Sequence, residues 1–203
     1  MREVRSNSHI TRGSRPRLEI TPPQIVGPFY PVAQLPDLAA DLARPSGSAA
    51  AARGELICVR GHVLTASGAP VAHARIEIWQ ANAAGKYRHP SDTNPAPLDP
   101  NFKGFACLTT DASGRYQFRT IKPGRYPTPE GEIRPPHIHF AVEGRFDRLV
   151  TQLYFAGESE NQTDRWLNSA PQPERLIVTL QAPASHLESR PCLAHFDIVL
   201  PSG

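Results

Sequence analysis

Proline constrains this chain more than any other residue: 22 of its 203 positions carry it, about twice the ordinary share. The pyrrolidine ring stops helices and takes a ladder donor out of central strands. Short strands joined by long, stiff loops are the expected result. Seven segments are rich in β-formers or alternate apolar with polar residues, each bounded by Gly, Pro, Asp or Asn. They are 55–64 (ELICVRGHVL), 74–81 (ARIEIWQA), 114–121 (GRYQFRTI), 137–144 (HIHFAVEG), 149–157 (LVTQLYFAG), 175–180 (RLIVTL) and 194–200 (AHFDIVL). Residues 66–70 and 111–114 supply turns. Only residues 35–42 read as a short helix. The reading is therefore all-β: an antiparallel β-sandwich with long functional loops and little helix.

Composition excludes several classes. Hydrophobic residues make up 39%, and no apolar run approaches the roughly 20 residues of a membrane helix. The first residues lack the apolar stretch of a secretory signal, so the chain is expected to be cytoplasmic and to have no membrane contact. Five arginines (Arg2, Arg5, Arg12, Arg15, Arg17) against Glu3 make residues 1–20 a basic extension to a domain spanning 21–203. No aromatic residue interleaves with them, which argues against a nucleic-acid arm and for a solvated or subunit-docking tail. Cys58, Cys107 and Cys192 are odd in number and widely spaced; they read as reduced thiols, neither a disulfide framework nor a zinc knuckle.

Two stretches, 83–108 and 122–134, are too long for simple turns, and loops of that length in a compact domain are usually functional. Next to the second lies Arg134-Pro135-Pro136-His137-Ile138-His139-Phe140. In a strand, His137 and His139 share one face while Ile138, Phe140 and Val142 take the other. Two imidazoles on one strand face are candidate metal ligands, or simply part of a polar face. Each long loop also holds one of the five tyrosines, Tyr87 and Tyr126. A phenol with a pKa near 10 binds as an anion only beside a strongly acidic cation such as Fe(III); otherwise a loop tyrosine packs its ring and hydrogen-bonds its hydroxyl.

The runs Glu77–His89, Ala96–Phe102, Thr120–Pro127, Arg134–Phe140, Thr151–Phe155 and Phe196–Leu200 resemble the intradiol ring-cleavage dioxygenases. Within them, they are most similar to the iron-binding (beta) subunits of protocatechuate 3,4-dioxygenases. The similarity runs in order from about residue 21 to the end. It implies a prealbumin-like sandwich holding non-haem Fe(III) through Tyr87, Tyr126, His137 and His139. It also implies cleavage of a catechol by O2 to a cis,cis-muconate. By the same resemblance, Tyr126 leaves the metal when substrate binds, Arg134 offsets negative charge on the ring, Gln152 hydrogen-bonds in the pocket and Trp79 helps wall it.

The match departs at 125–133, where Thr128 stands in place of a family tryptophan and the loop is shorter, so the identity of the catechol is open. The segment Thr21–Tyr30 is similar to the iron-free partner subunits, whose Gly-Pro lines the active site across an interface; here the pair is Gly27-Pro28. Arg145 falls where those subunits carry an arginine for the substrate carboxylate. Both features suggest one chain serving two roles in a homo-oligomer, possibly with a paralogous subunit. Absence of room for a large helical N-terminal region favours a carboxylated catechol. The alternatives are a zinc or Fe(II) enzyme using the His-x-His pair, and an iron-free binding module or partner subunit.

Overall fold

The computed structural model describes residues 17–32, 40–44, 50–183 and 191–203. Eleven strands follow in chain order: β1 (Leu56–Thr65), β2 (Arg75–Trp79), β3 (Phe105–Thr109), β4 (Arg115–Ile121), β5 (Tyr126–Pro127), β6 (Ile133–Arg134), β7 (His137–Glu143), β8 (Arg148–Phe155), β9 (Ile177–Val178), β10 (Cys192–His195) and β11 (Ile198–Leu200). The one α-helix among the described residues is α1 (Arg165–Asn168), a single turn capped by Asp164, whose carboxylate accepts from Leu167 N at 2.8 Å.

Two sheets form an all-β sandwich. In the first, β4 runs antiparallel along one edge of β1, while β10 and then β11 run parallel to it along the other. The second sheet has the order β3-β2-β7-β8-β9. Alternation sets the inward faces. Ile57, Val59 and Val63 of β1 meet Ile76, Ile78, Ile138, Phe140, Val142 and Leu153 of the second sheet in one apolar cluster. Removing each such side chain from water contributes about 1.5–3 kcal/mol.

The sandwich differs from the sequence reading in four ways. Its sheets are mixed, because β10, β11 and β9 pair in parallel. The expected strand 194–200 is broken at Phe196-Asp197, where the backbone crosses Gly61 so closely that a Cβ there would lie 1.9 Å from Phe196 O. β3 lies inside the stretch taken as a loop, drawn into the sheet by β2. Residues 175–180 open in a 3-10 turn (Pro173–Leu176), leaving two residues of strand. Of the expected helix 35–42, residues 35–39 lie outside the described residues, while Asp41 bridges to Arg119 of β4 in extended form. Arg2, Arg5, Arg12 and Arg15 also lie outside them.

Candidate active site

All residues of β7 except Glu143 are buried. One face packs into the core just described; the other carries His137, His139 and Ala141. Register arranges that second face. Trp79 of β2 and Gln152 of β8 stand either side of His139, and Tyr154 stands opposite His137. The Trp79 ring stacks on His139 at 4.7 Å and 9°, so it backs that imidazole.

Two loops and an N-terminal segment cover this face. In the first loop, Asn82 Oδ1 accepts from Ala84 N and Lys86 N at 2.9 and 3.0 Å, and its carbonyl takes Gly124 N of the second loop at 2.9 Å. The loops press together at Gly85, whose φ is +79° and whose Cβ would lie 2.2 Å from Arg125 O; no L side chain fits there. Asp92 accepts Tyr87 N at 2.7 Å and fixes the next residue. In the second loop, Tyr126 pairs with Arg134 across β5–β6, and Thr128 N donates to Glu132 O at 2.7 Å to close a tight hairpin over 128–132. An irregular loop thus delivers Tyr87, and the short strand β5 delivers Tyr126, to the histidine face.

Four donor atoms converge. Tyr87 Oη and Tyr126 Oη lie 3.4 and 3.5 Å from His137 Nε2, which lies 3.1 Å from His139 Nε2. His137 Nδ1 is 2.8 Å from Pro135 O; a carbonyl only accepts, so Nδ1 carries the hydrogen and Nε2 turns its lone pair into the site. His139 Nδ1 is buried without a hydrogen-bond partner among the described residues. Burial, then the Arg134 charge, holds both imidazoles well below their usual range and therefore neutral. Burial, then the neighbouring Tyr126, pushes the Tyr87 phenol well above its usual range, and burial raises Tyr126 against the pull of Arg134. Donors about 3 Å apart suit an ion bonded to each at about 2 Å. Two neutral imidazoles and two phenols that ionise only beside strong positive charge fit a hard, highly charged metal ion.

Arg134 is the charge next to this cluster. Its Nε donates to Asp164 at 2.8 Å and its Nη2 to Tyr154 Oη at 2.8 Å and Gln152 Oε1 at 3.1 Å. The guanidinium lies 4.4 Å from the Trp166 ring. Burial works against its charge, but Tyr154, Tyr126 and Asp164 together keep its pKa above the usual arginine range. Gln152 Nε2 donates to Ile25 O at 2.9 Å, which turns its Oε1 toward Arg134. The same hydrogen bond, with Thr151 Oγ1 to Pro22 O at 2.8 Å and Gln24 Nε2 to Trp166 O at 3.0 Å, ties residues 21–30 over the site of their own chain.

A cleft of about 490 Å³ opens here, lined by Pro28, Phe29, Tyr126, Arg134, Arg165 and Trp166 among others. Gly27 packs on the donor cluster: with φ at +72°, its Cβ would lie 3.2 Å from His139 Cε1. Gly27 and Pro28 thus reach the site within one chain, without crossing an interface. Arg145 does not: it is exposed in the β7–β8 turn, over Phe146 at 5.0 Å, at the far end of β7 from His137. Trp79 lies behind His139 and not on the cleft wall. Sequence reasoning missed Tyr154, Asp164, Trp166 and Phe29. Tyr154 was within reach, since two-residue alternation puts it on the face of Gln152. Asp164 and Trp166 come from a remote helical turn with no local signal.

Comparison with known proteins shows which family the chain is similar to. A family model described as "Dioxygenase" matches residues 25–202. The protocatechuate 3,4-dioxygenase beta chain of Burkholderia cepacia is 42% identical over 178 residues, covering 85% of this chain and 76% of that one. The alpha chain from the same organism is 33% identical over 195 residues, covering 89% and 92%. The structure of 3-chlorocatechol 1,2-dioxygenase from Rhodococcus opacus 1CP aligns with a TM-score of 0.70 at 26% identity, covering 92% of this chain and 73% of that one. Strand order, a buried face of paired donors and these matches lead to one assignment: the chain belongs to the intradiol ring-cleavage dioxygenases.

Proposed function

We propose that Tyr87, Tyr126, His137 and His139 hold a non-haem ferric ion, and that the enzyme opens protocatechuate or a related acid-bearing catechol between its hydroxyl-bearing carbons. The observation that carries this reading is the meeting of two phenols and two neutral imidazoles 3.1–3.5 Å apart on one buried strand face. When bound, ferric iron supplies Lewis acidity to both catechol oxygens and a ring reactive toward O2. The chain's own residues do the rest. Tyr126 alone of the four borders the cleft, so its Oη is placed to give way to substrate and take a proton from it. Arg134, held by Asp164 and Trp166, offsets negative charge on the bound ring. Gln152 keeps Arg134 aimed, and Pro28, Phe29 and Trp166 limit water.

Substrate choice falls to the cleft mouth. Arg165 also lies over the Trp166 ring, at 4.3 Å, and pairs with half-exposed Glu132 at 3.3 Å. Arg165 is the exposed cation there, and a ring carboxylate would compete with Glu132 for it, while Trp166 offers the ring an apolar wall. Thr128, in place of a bulky aromatic residue, leaves space beside them. The name of the Burkholderia beta chain supports protocatechuate as the first substrate to try. Three cysteines that form no disulfide fit a reducing cytoplasm, and no helix among the described residues is long and apolar enough to cross a membrane. We further infer a homo-oligomer, or a complex with a paralogous subunit, in which Arg145 serves a neighbouring copy.

The test is product analysis under labelled oxygen. Iron-loaded protein given protocatechuate and ¹⁸O₂ is expected to yield a ring-opened tricarboxylate in which both atoms of one O2 are retained. Cleavage beside, and not between, the hydroxyl-bearing carbons would contradict the proposal.

A further inference from the structure

The first sheet carries a second donor cluster, on its outer face and away from the aromatic site. His62 lies on the outward side of β1, His195 ends β10, and Asp197 lies in the break before β11. Asp197 Oδ1 accepts His62 N at 2.7 Å and stands 3.3 Å from His62 Nδ1, while Oδ2 stands 3.2 Å from His195 Nε2. One donor atom from each of the three lies within 4.8 Å of the others. A hollow of about 540 Å³ lies beside them, lined by Arg60, Arg115 and Tyr116 among others, with room for water ligands.

We propose that His62, His195 and Asp197 form a second metal site, specific to a zinc-class divalent ion, that clamps β1 to the β10–β11 crossover. Two imidazoles and one carboxylate without a thiolate suit Zn²⁺, Co²⁺, Ni²⁺ or Cu²⁺ better than Ca²⁺ or Mg²⁺. Donors on an ion bonded at about 2.1 Å stand ~3–4.2 Å apart, so closing the site takes small rotations of half-exposed rings. The carboxylate is already set: the His62 backbone N–H and both rings hold it. Although burial alone would raise its pKa, that backbone bond and His195 lower it, so Asp197 is charged at neutral pH. Arg115 Nε donates to His62 Nε2 at 3.3 Å; bonding through Nδ1 requires this exposed contact to break, and exposed contacts of this kind are weak.

The iron-loaded protein is titrated with zinc chloride in a calorimeter near pH 7.5, beside His62→Ala, His195→Ala and Asp197→Asn. The last keeps an oxygen acceptor for His62 N–H and so guards against a folding artefact. Wild type is expected to take up one zinc per chain and to melt at a higher temperature with it. Each variant should bind at least about tenfold more weakly, with the visible spectrum of the iron centre unchanged. No uptake by wild type, or uptake unaffected in all three variants, would overturn the proposal. The outcome is independent of the iron reading: if the aromatic centre took zinc instead, two ions would bind and the surface substitutions would remove only one.

Discussion

The two faces of β7 are equally buried and chemically opposite. Ile138, Phe140 and Val142 face the first sheet and need nothing beyond packing. His137 and His139, one residue out of step, sit under loops in an aromatic cluster with Trp79, Tyr87 and Tyr126. Burying polar groups costs free energy unless their bonds are made, and here Trp79 Nε1 and His139 Nδ1 are buried with no hydrogen-bond partner among the described residues. One face holds the fold together; the other keeps bonding capacity in reserve inside it. The contrast shows why a strand can be buried on both faces and still be a working surface.

Substitutions on the two faces should separate these roles. His139→Ala is expected to cut kcat by more than the ~10–100-fold that loss of a supporting residue brings, and to empty the iron site by metal analysis, while the urea midpoint moves little. Phe140→Ala, next in the chain, should do the reverse: about 3–5 kcal/mol of stability lost by urea unfolding, with the iron centre of the folded fraction intact. If both changes struck stability and iron alike, the separation of faces would be wrong. Asp164→Asn sharpens the comparison from outside the strand. It weakens the buried partner of Arg134 and should lower kcat about 10–100-fold with iron retained, as read by steady-state kinetics on the coloured protein. Arg165→Gln is the mildest: about tenfold in kcat/KM, ~1.4 kcal/mol, lost with protocatechuate and little change with unsubstituted catechol.

Much of this was readable in the sequence, because it rests on local rules. Period-two alternation at 137–143 separated the two faces of β7, and proline-rich punctuation marked the loops that bring Tyr87 and Tyr126. What stayed hidden depends on residues distant in sequence. β3 has no periodicity of its own and is a strand because β2 pairs with it. The break at Phe196-Asp197 needs Gly61, and parallel pairing along β1 leaves no local trace. Similarity in sequence pointed to Arg134, but the partners that hold it, Asp164 and Trp166, come from a turn about thirty residues later. Arg145 lies far from the donor cluster of its own chain, so the role that similarity suggests for it would be played at a neighbouring copy.

The most direct test of the central claim is the visible spectrum of the iron-loaded protein, recorded before and after protocatechuate is added without oxygen. The account predicts a red-brown tyrosinate-to-iron(III) band that shifts when substrate binds, with Tyr126 replaced at the metal. A protein that stays colourless after iron reconstitution would contradict it, because two phenols and two imidazoles this close could not then be holding ferric iron.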